Sequence, residues 1–137
     1  MTGERGERRL AAILAADVVG YSRLVSADEA DALSRLSTLR RDIIEPNIAN
    51  HSGRLFKTMG DGFLAEFASA VQAVSCAVAI QTETEAAASG FNDAQKMRLR
   101  IGIHVGDVIV EGEDLMGDGI NIAARLESIA AVGGISI

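Results

Sequence analysis

The residues of this sequence best suited to hold cations are Asp17 and Asp61. Asp17 falls at the end of an apolar run from Leu10 to Val19, and Asp61 stands in Gly60-Asp61-Gly62 between two short runs of strand-forming residues. An acid at a strand end and another at a hairpin tip, on strands that lie side by side, would bring hard oxygen donors together. Two such carboxylates and a backbone carbonyl suffice for a pair of Mg²⁺ ions, which keep substrate phosphates in the rest of their shells. A Gly-Asp-Gly run also forms for local reasons alone, because both residue types favour tight turns. Asn121 and Arg125 form a second polar pair. Their spacing of four sets them on one face of a helix, opposite Ile122 and Ile129 on this reading, where a solvated surface is the plainer alternative.

The elements that must position these groups follow from periodicity. Leu10 to Val19 reads as a buried central strand. Ser26-Ala27-Asp28-Glu29 reads as a capping box, so the first helix is expected to start near Ala27, with Leu33, Leu36, Leu39, Ile43 and Ile44 as its apolar stripe. Pro46 has no N–H to donate and is expected to break or bend that helix near Glu45. Leu55 to Met59 and Phe63 to Phe67 flank the Gly-Asp-Gly turn as a hairpin. Ser69 and Gln72 form a second capping box, opening an Ala-rich helix expected to turn Val71, Val74 and Val78 to one face. Residues 89–96 read as a surface loop.

Leu99, Ile101, Ile103 and Val105 alternate with polar or small residues as a half-buried strand, expected to turn at Gly106-Asp107 into Val108-Ile109-Val110. After an acidic, Gly-rich stretch, a third helix is expected to put Ile122, Leu126 and Ile129 inward before a strand at Ile135–Ile137. The order strand, helix, hairpin, helix, hairpin, helix, strand implies an α+β fold, a ferredoxin-like mixed sheet with helices on one face. Residues 1–8 are expected to be a flexible N-terminus and residues 9–137 one domain.

Composition narrows the function. With 137 residues, 48% of them hydrophobic and 23% charged, the chain can bury a core of its own. A formal charge of -6 argues against nucleic acid as a partner, since phosphate-backbone binding needs clustered Lys and Arg. The lone Cys76 sits in an apolar run, which excludes an intrachain disulfide and suggests a small core residue in a reducing, cytoplasmic setting. Arg8-Arg9 followed by Leu10 to Ala16 has the character of a secretion signal. The apolar run is short, however, and passes at once into Asp17-Val18-Val19 with no cleavage-site pattern. No run approaches membrane-spanning length. His51 reads as a loop residue and His104 as a surface or interface residue, while Glu111, Glu113 and Asp118 read as solvating or capping acids.

Three runs carry a resemblance. Ala15-Ala16-Asp17-Val18-Val19-Gly20-Tyr21-Ser22, Phe56-Lys57-Thr58-Met59-Gly60-Asp61-Gly62-Phe63 and Asp114-Leu115-Met116-Gly117-Asp118-Gly119-Ile120-Asn121-Ile122-Ala123-Ala124-Arg125-Leu126 together resemble the catalytic domain of class III adenylate and guanylate cyclases, in order and spacing. The resemblance implies the nucleotide cyclase fold over 9–137, incomplete at the C-terminus, with final strands and a triphosphate-binding Lys expected beyond Ile137. It implies that Asp17 and Asp61, with the backbone carbonyl of Val18, hold two Mg²⁺ or Mn²⁺ ions. Lys57 and Asp114 match the positions that read the purine. An ammonium donates to adenine N1 and a carboxylate accepts from its amino group, whereas guanine offers the reverse pattern. Asn121 and Arg125 match the transition-state pair.

The implied activity is conversion of ATP to 3′,5′-cyclic AMP and pyrophosphate in intracellular signalling. The implied assembly is a homodimer with composite active sites, the metal residues coming from one protomer and the purine and transition-state residues from the other. Two rival readings are a non-catalytic nucleotide-binding or dimerisation module derived from a cyclase, and another two-metal nucleotidyl enzyme such as a diguanylate cyclase. The sequence lacks the Gly-Gly-Asp/Glu-Glu-Phe signature of the latter.

Overall fold

The computed structural model describes residues 7–137. The chain runs through β1 (Glu7–Val18), α1 (Tyr21–Ala27), α2 (Glu29–Leu39), a π-helical turn (Arg40–Ile44), α3 (Glu45–Asn50), β2 (Arg54–Met59), β3 (Gly62–Phe67) and α4 (Ala70–Ala88). A 3₁₀ turn (Asp93–Gln95) then leads to β4 (Leu99–Glu111), β5 (Asp114–Met116), α5 (Asp118–Ser128) and β6 (Ile135–Ser136). Of the stretch expected to be flexible, residues 1–6 lie outside the described residues, while Glu7 and Arg8 already belong to β1.

The sheet is the expected mixed α+β one. Its path is β2-β3-β1-β4-β5, antiparallel throughout, and β6 joins β4 in parallel. β1 reads as an unbroken apolar run because it is central and covered on both faces. Ala12, Leu14, Ala16 and Val18 join the core beneath α1–α4, whereas Ala11, Ile13 and Ala15 pack with Leu64, Val108, Leu115 and Ala123 of α5. The helices are therefore not all on one face: α5 covers the side opposite to the others. It sits directly on the backbone of β4 at Gly102, where a Cβ would lie 2.5 Å from the Ala123 carbonyl oxygen. Only glycine leaves room for that approach.

Several local expectations shift. The first helix starts earlier, at Tyr21, and a break at Asp28 separates it from α2. The cap is Asp28, whose Oδ1 accepts from the Asp31 N–H at 3.1 Å, and not Ser26. The bend near Pro46 takes the form of the π-helical turn. Leu36, Leu39, Ile44 and Ile48 are all buried, and the step from Leu39 to Ile44 is one residue longer than an α-helix allows on one face. The wider turn, closed by the Glu45 N–H on the Arg40 carbonyl, absorbs that residue.

Ser69 caps α4, its Oγ accepting from the Gln72 N–H, but of the expected apolar face only Val74 packs against the core. The helix buries Ala73, Cys76, Ala77 and Ile80, and leaves Val71 74% and Val78 51% exposed. A row of small side chains lets the helix lie close to the sheet, and close packing outweighs hydropathy here. Likewise β4 does not turn at Gly106-Asp107. β1 offers it an uninterrupted partner, pairing Ala11 with Gly106 and Leu10 with Asp107, and the hairpin comes at Gly112-Glu113 instead. In α5, Gly119 and Ala123 are the buried residues, and Ile129 is 75% exposed rather than inward.

Candidate active site

Asp17 lies at the C-terminal end of β1 and Asp61 in the two-residue turn between β2 and β3, as expected from their sequence settings. Pairing of β1 with β3 brings Ala16 opposite Phe63 and so carries the turn alongside the strand end. Asp61 Oδ2 accepts a hydrogen bond from the backbone N–H of the buried Val18 at 3.0 Å, which locks the turn against the strand. The two aspartates open onto one cleft of about 150 Å³, whose other walls include Met59, Phe63, Ala124 and Glu127.

Glu127, one of the α5 residues brought over the sheet by the contact at Gly102, was not legible in the sequence as part of this cleft. Burial first, then the charge and hydrogen bond of Asp17, push its carboxyl up to about 7. Burial also raises the Asp17 carboxyl, and the nearby Asp61 charge adds to this, while the hydrogen bond from Glu127 and the Arg100 charge oppose it. Arg100 was likewise missed. It pairs with Asp17 across β1 and β4, and its Nε donates to the Ala130 carbonyl at 3.0 Å. The i,i+2 alternation marks Arg100 only as a polar strand position; its nearness to Asp17 is a product of register. Among the described residues no set of three or more His, Cys, Asp or Glu is arranged to hold a metal ion. The cleft thus carries the two candidate aspartates, with Glu127 beside Asp17.

Lys57 and Asp114 come together at a different place. β2 and β5, the two ends of the sheet path, touch because the sheet curls around the α5-side core. There Lys57 Nζ and Asp114 Oδ2 form an ion pair at 3.0 Å. The hydrogen bond from Lys57 holds the Asp114 carboxyl below the ordinary carboxylate range, aided by the Leu115 N–H that donates to its Oδ1. Asn121 and Arg125 are both exposed on α5 and do not line the Asp17–Asp61 cleft. The structure thus joins the metal candidates to each other and the purine candidates to each other, and leaves the third pair facing outward.

The remaining residues keep modest roles. Cys76 is fully buried, and burial pushes its thiol up to about 12. His51 Nδ1 lies 2.7 Å from the Asn47 carbonyl at the end of α3. No helix among the described residues is long and apolar enough to cross a membrane.

Comparison with known proteins places these features in context. The family model described as the adenylate and guanylate cyclase catalytic domain matches residues 6–137. A Rhizobium meliloti (strain 1021) protein named "Putative adenylate cyclase 3" is 48% identical over 137 residues, 100% of this chain and 23% of that protein. An adenylate cyclase of Streptomyces coelicolor is 35% identical over 127 residues, 93% of this chain and 32% of its own length. The chain therefore spans about a quarter to a third of these relatives. Among solved structures, an adenylate/guanylate cyclase/hydrolase from Silicibacter pomeroyi superposes with a TM-score of 0.87 at 46% identity, covering 94% of this chain and 75% of that one.

Proposed function

The chain belongs to the family of adenylate and guanylate cyclase catalytic domains, and from that premise we propose that it converts ATP to 3′,5′-cyclic AMP and pyrophosphate as a homodimer with two composite sites. The observation that carries this reading is the Asp17–Asp61 cleft. Its donors are all oxygens, its negative charge is concentrated and partly desolvated, and the Val18 N–H fixes one carboxylate. That chemistry fits hard divalent cations, which this family generally uses. Two Mg²⁺ or Mn²⁺ ions held by Asp17, Asp61 and the Val18 carbonyl would supply Lewis acidity toward the ribose 3′ hydroxyl and the triphosphate.

The chain's own side chains account for the rest. Lys57 donates to adenine N1 and Asp114 accepts from the amino group, so the ion pair presents an adenine-type pattern and leaves guanine with mismatched polar groups. Arg125 stabilises the charge that grows on the phosphoryl oxygens as the ribose 3′ oxygen attacks the α-phosphorus and pyrophosphate departs. Asn121 orients the ribose. Because both project away from the cleft of their own chain, they serve a substrate held by the cleft of a second chain, as a two-fold interface requires.

Complementation tests this. In protein containing this chain, Asp17→Asn and Arg125→Ala are each expected to abolish cyclic AMP formation from ATP with Mn²⁺. An equal mixture of the two is expected to recover roughly a quarter of wild-type activity, since half the dimers are mixed and each has one intact site. No recovery on mixing would sink the composite site. A dimer that makes no cyclic nucleotide from ATP or GTP would favour the non-catalytic binding module.

A further inference from the structure

The turn that carries Asp61 has an anchor outside the hairpin. Arg40 Nη2 donates to the Gly60 carbonyl oxygen at 2.6 Å, across 20 residues of sequence. Gly60 precedes Asp61 in the two-residue turn and has φ 59°, with nothing within 4 Å of where a Cβ would lie. Glycine is used there for its backbone conformation rather than for room. β2 ends the sheet path and has an irregular register between Leu55 and Lys57, so among the described residues no strand is hydrogen-bonded along its outer side. The Val18 N–H grips the Asp61 carboxylate from one side, and Arg40 grips the preceding carbonyl from the other.

Arg40 reaches the turn from the π-helical segment. It follows Leu36 by four and so lies on the buried row of α2, and the wide turn that begins at Arg40 takes up the surplus residue before Ile44. Its Nε is buried without a partner, an arrangement kept against a desolvation cost. Its neighbour Arg41 provides the contrast: it is exposed and pairs with the adjacent Asp42 at 2.8 Å. π-helical turns recur at functional sites.

We infer that Arg40 is a positioning residue for the candidate metal site: by holding the Gly60 carbonyl it fixes the turn, and with it the Asp61 carboxylate. This rests on the reading of Asp61 as a cation ligand. The test is binding of Mn²⁺ alone to protein containing this chain, followed by electron paramagnetic resonance, together with amide hydrogen exchange at Asp61 and Gly62. Arg40→Met is expected to weaken Mn²⁺ binding about tenfold, the scale of lost support behind a metal ligand, and to speed exchange at the turn. Arg40→Lys should recover part of both effects, and Arg41→Met should change neither.

Binding and exchange that stay within twofold of wild type in Arg40→Met overturn the inference. If that variant does not unfold cooperatively on heating, Arg40→Gln carries the test under the same criterion. An Asp61→Asn arm separates the two levels. If wild type binds Mn²⁺ no better than Asp61→Asn, the metal reading fails, and the exchange rates alone then decide whether Arg40 holds the turn.

Discussion

The strand β3 has acidic residues at both of its ends, and they are built in opposite ways. Near its C-terminal end Glu66 is buried but sandwiched between cations, with Arg9 at 2.7 Å and Arg54 at 2.6 Å. Just before its N-terminal end, Asp61 lies beside Asp17 and Glu127, and no Lys or Arg forms an ion pair with any of the three among the described residues. One carboxylate has its counter-charges supplied by the fold and serves the fold. The other group has no ion-pair partner and only the charge of Arg100 acting on Asp17 and Glu127; on the proposed reading, divalent cations supply the remaining counter-charge.

The largest effect should come from the end without ion-pair partners. On the proposed reading of Asp61 as a cation ligand, Asp61→Asn is expected to abolish cyclic nucleotide formation in protein containing this chain, while leaving the metal-free melting temperature unchanged or higher. A large drop in stability would place Asp61 with Glu66 as a structural acid. Glu66→Gln should do the reverse. Removing the charge of a buried acid whose two arginine partners are each 42% exposed is expected to cost about 1–2 kcal/mol, less than for a fully buried pair, read by urea unfolding, while the folded fraction keeps its activity.

A third measurement sharpens the contrast through pH. Folding raises the Glu127 carboxyl from an ordinary 4.5 to about 7, so the metal-free folded state binds more protons than the unfolded chain in that window. Stability is therefore expected to fall as pH rises from about 4.5 through about 7, and Glu127→Gln should flatten that slope in thermal melts. An unchanged slope would mean that neither burial nor the neighbouring aspartates raise the Glu127 carboxyl in solution. The smallest effect concerns the start of α2. Asp28→Ala is expected to cost about 1 kcal/mol and Ser26→Ala close to nothing, because the cap seen is Asp28.

That cap illustrates what the sequence makes legible. The pattern Ser26 to Glu29 is a sound local signal, yet Asp28 offers an equally good cap two residues on, and only packing of α1 against the core at Leu24 decides between them. The β2–β3 hairpin, the apolar central strand and the Ser69 cap were readable because each is fixed by neighbours in sequence. So were Asp17 and Asp61, whose settings at a strand end and a turn are local. Glu127, Arg100 and Arg40 were not. Their places depend on the seating of α5 on Gly102, on the register of β4 against β1, and on a π-helical turn, and each of these is settled by contacts distant in sequence. The continuation of β4 through Gly106 belongs with them, since a strand that looks ready to turn runs on when its partner does.

The ion pair between Lys57 and Asp114 also closes the curled sheet, fastening one edge strand to the other. Lys57→Glu alone would set two carboxylates against each other at that seam, and Asp114→Lys alone two ammonium groups. On the proposed reading of Lys57 and Asp114 as the base-reading pair, a change of preferred base is therefore expected to go through paired replacements or a neutral intermediate, since either charge reversal alone sets like charges together at this seam.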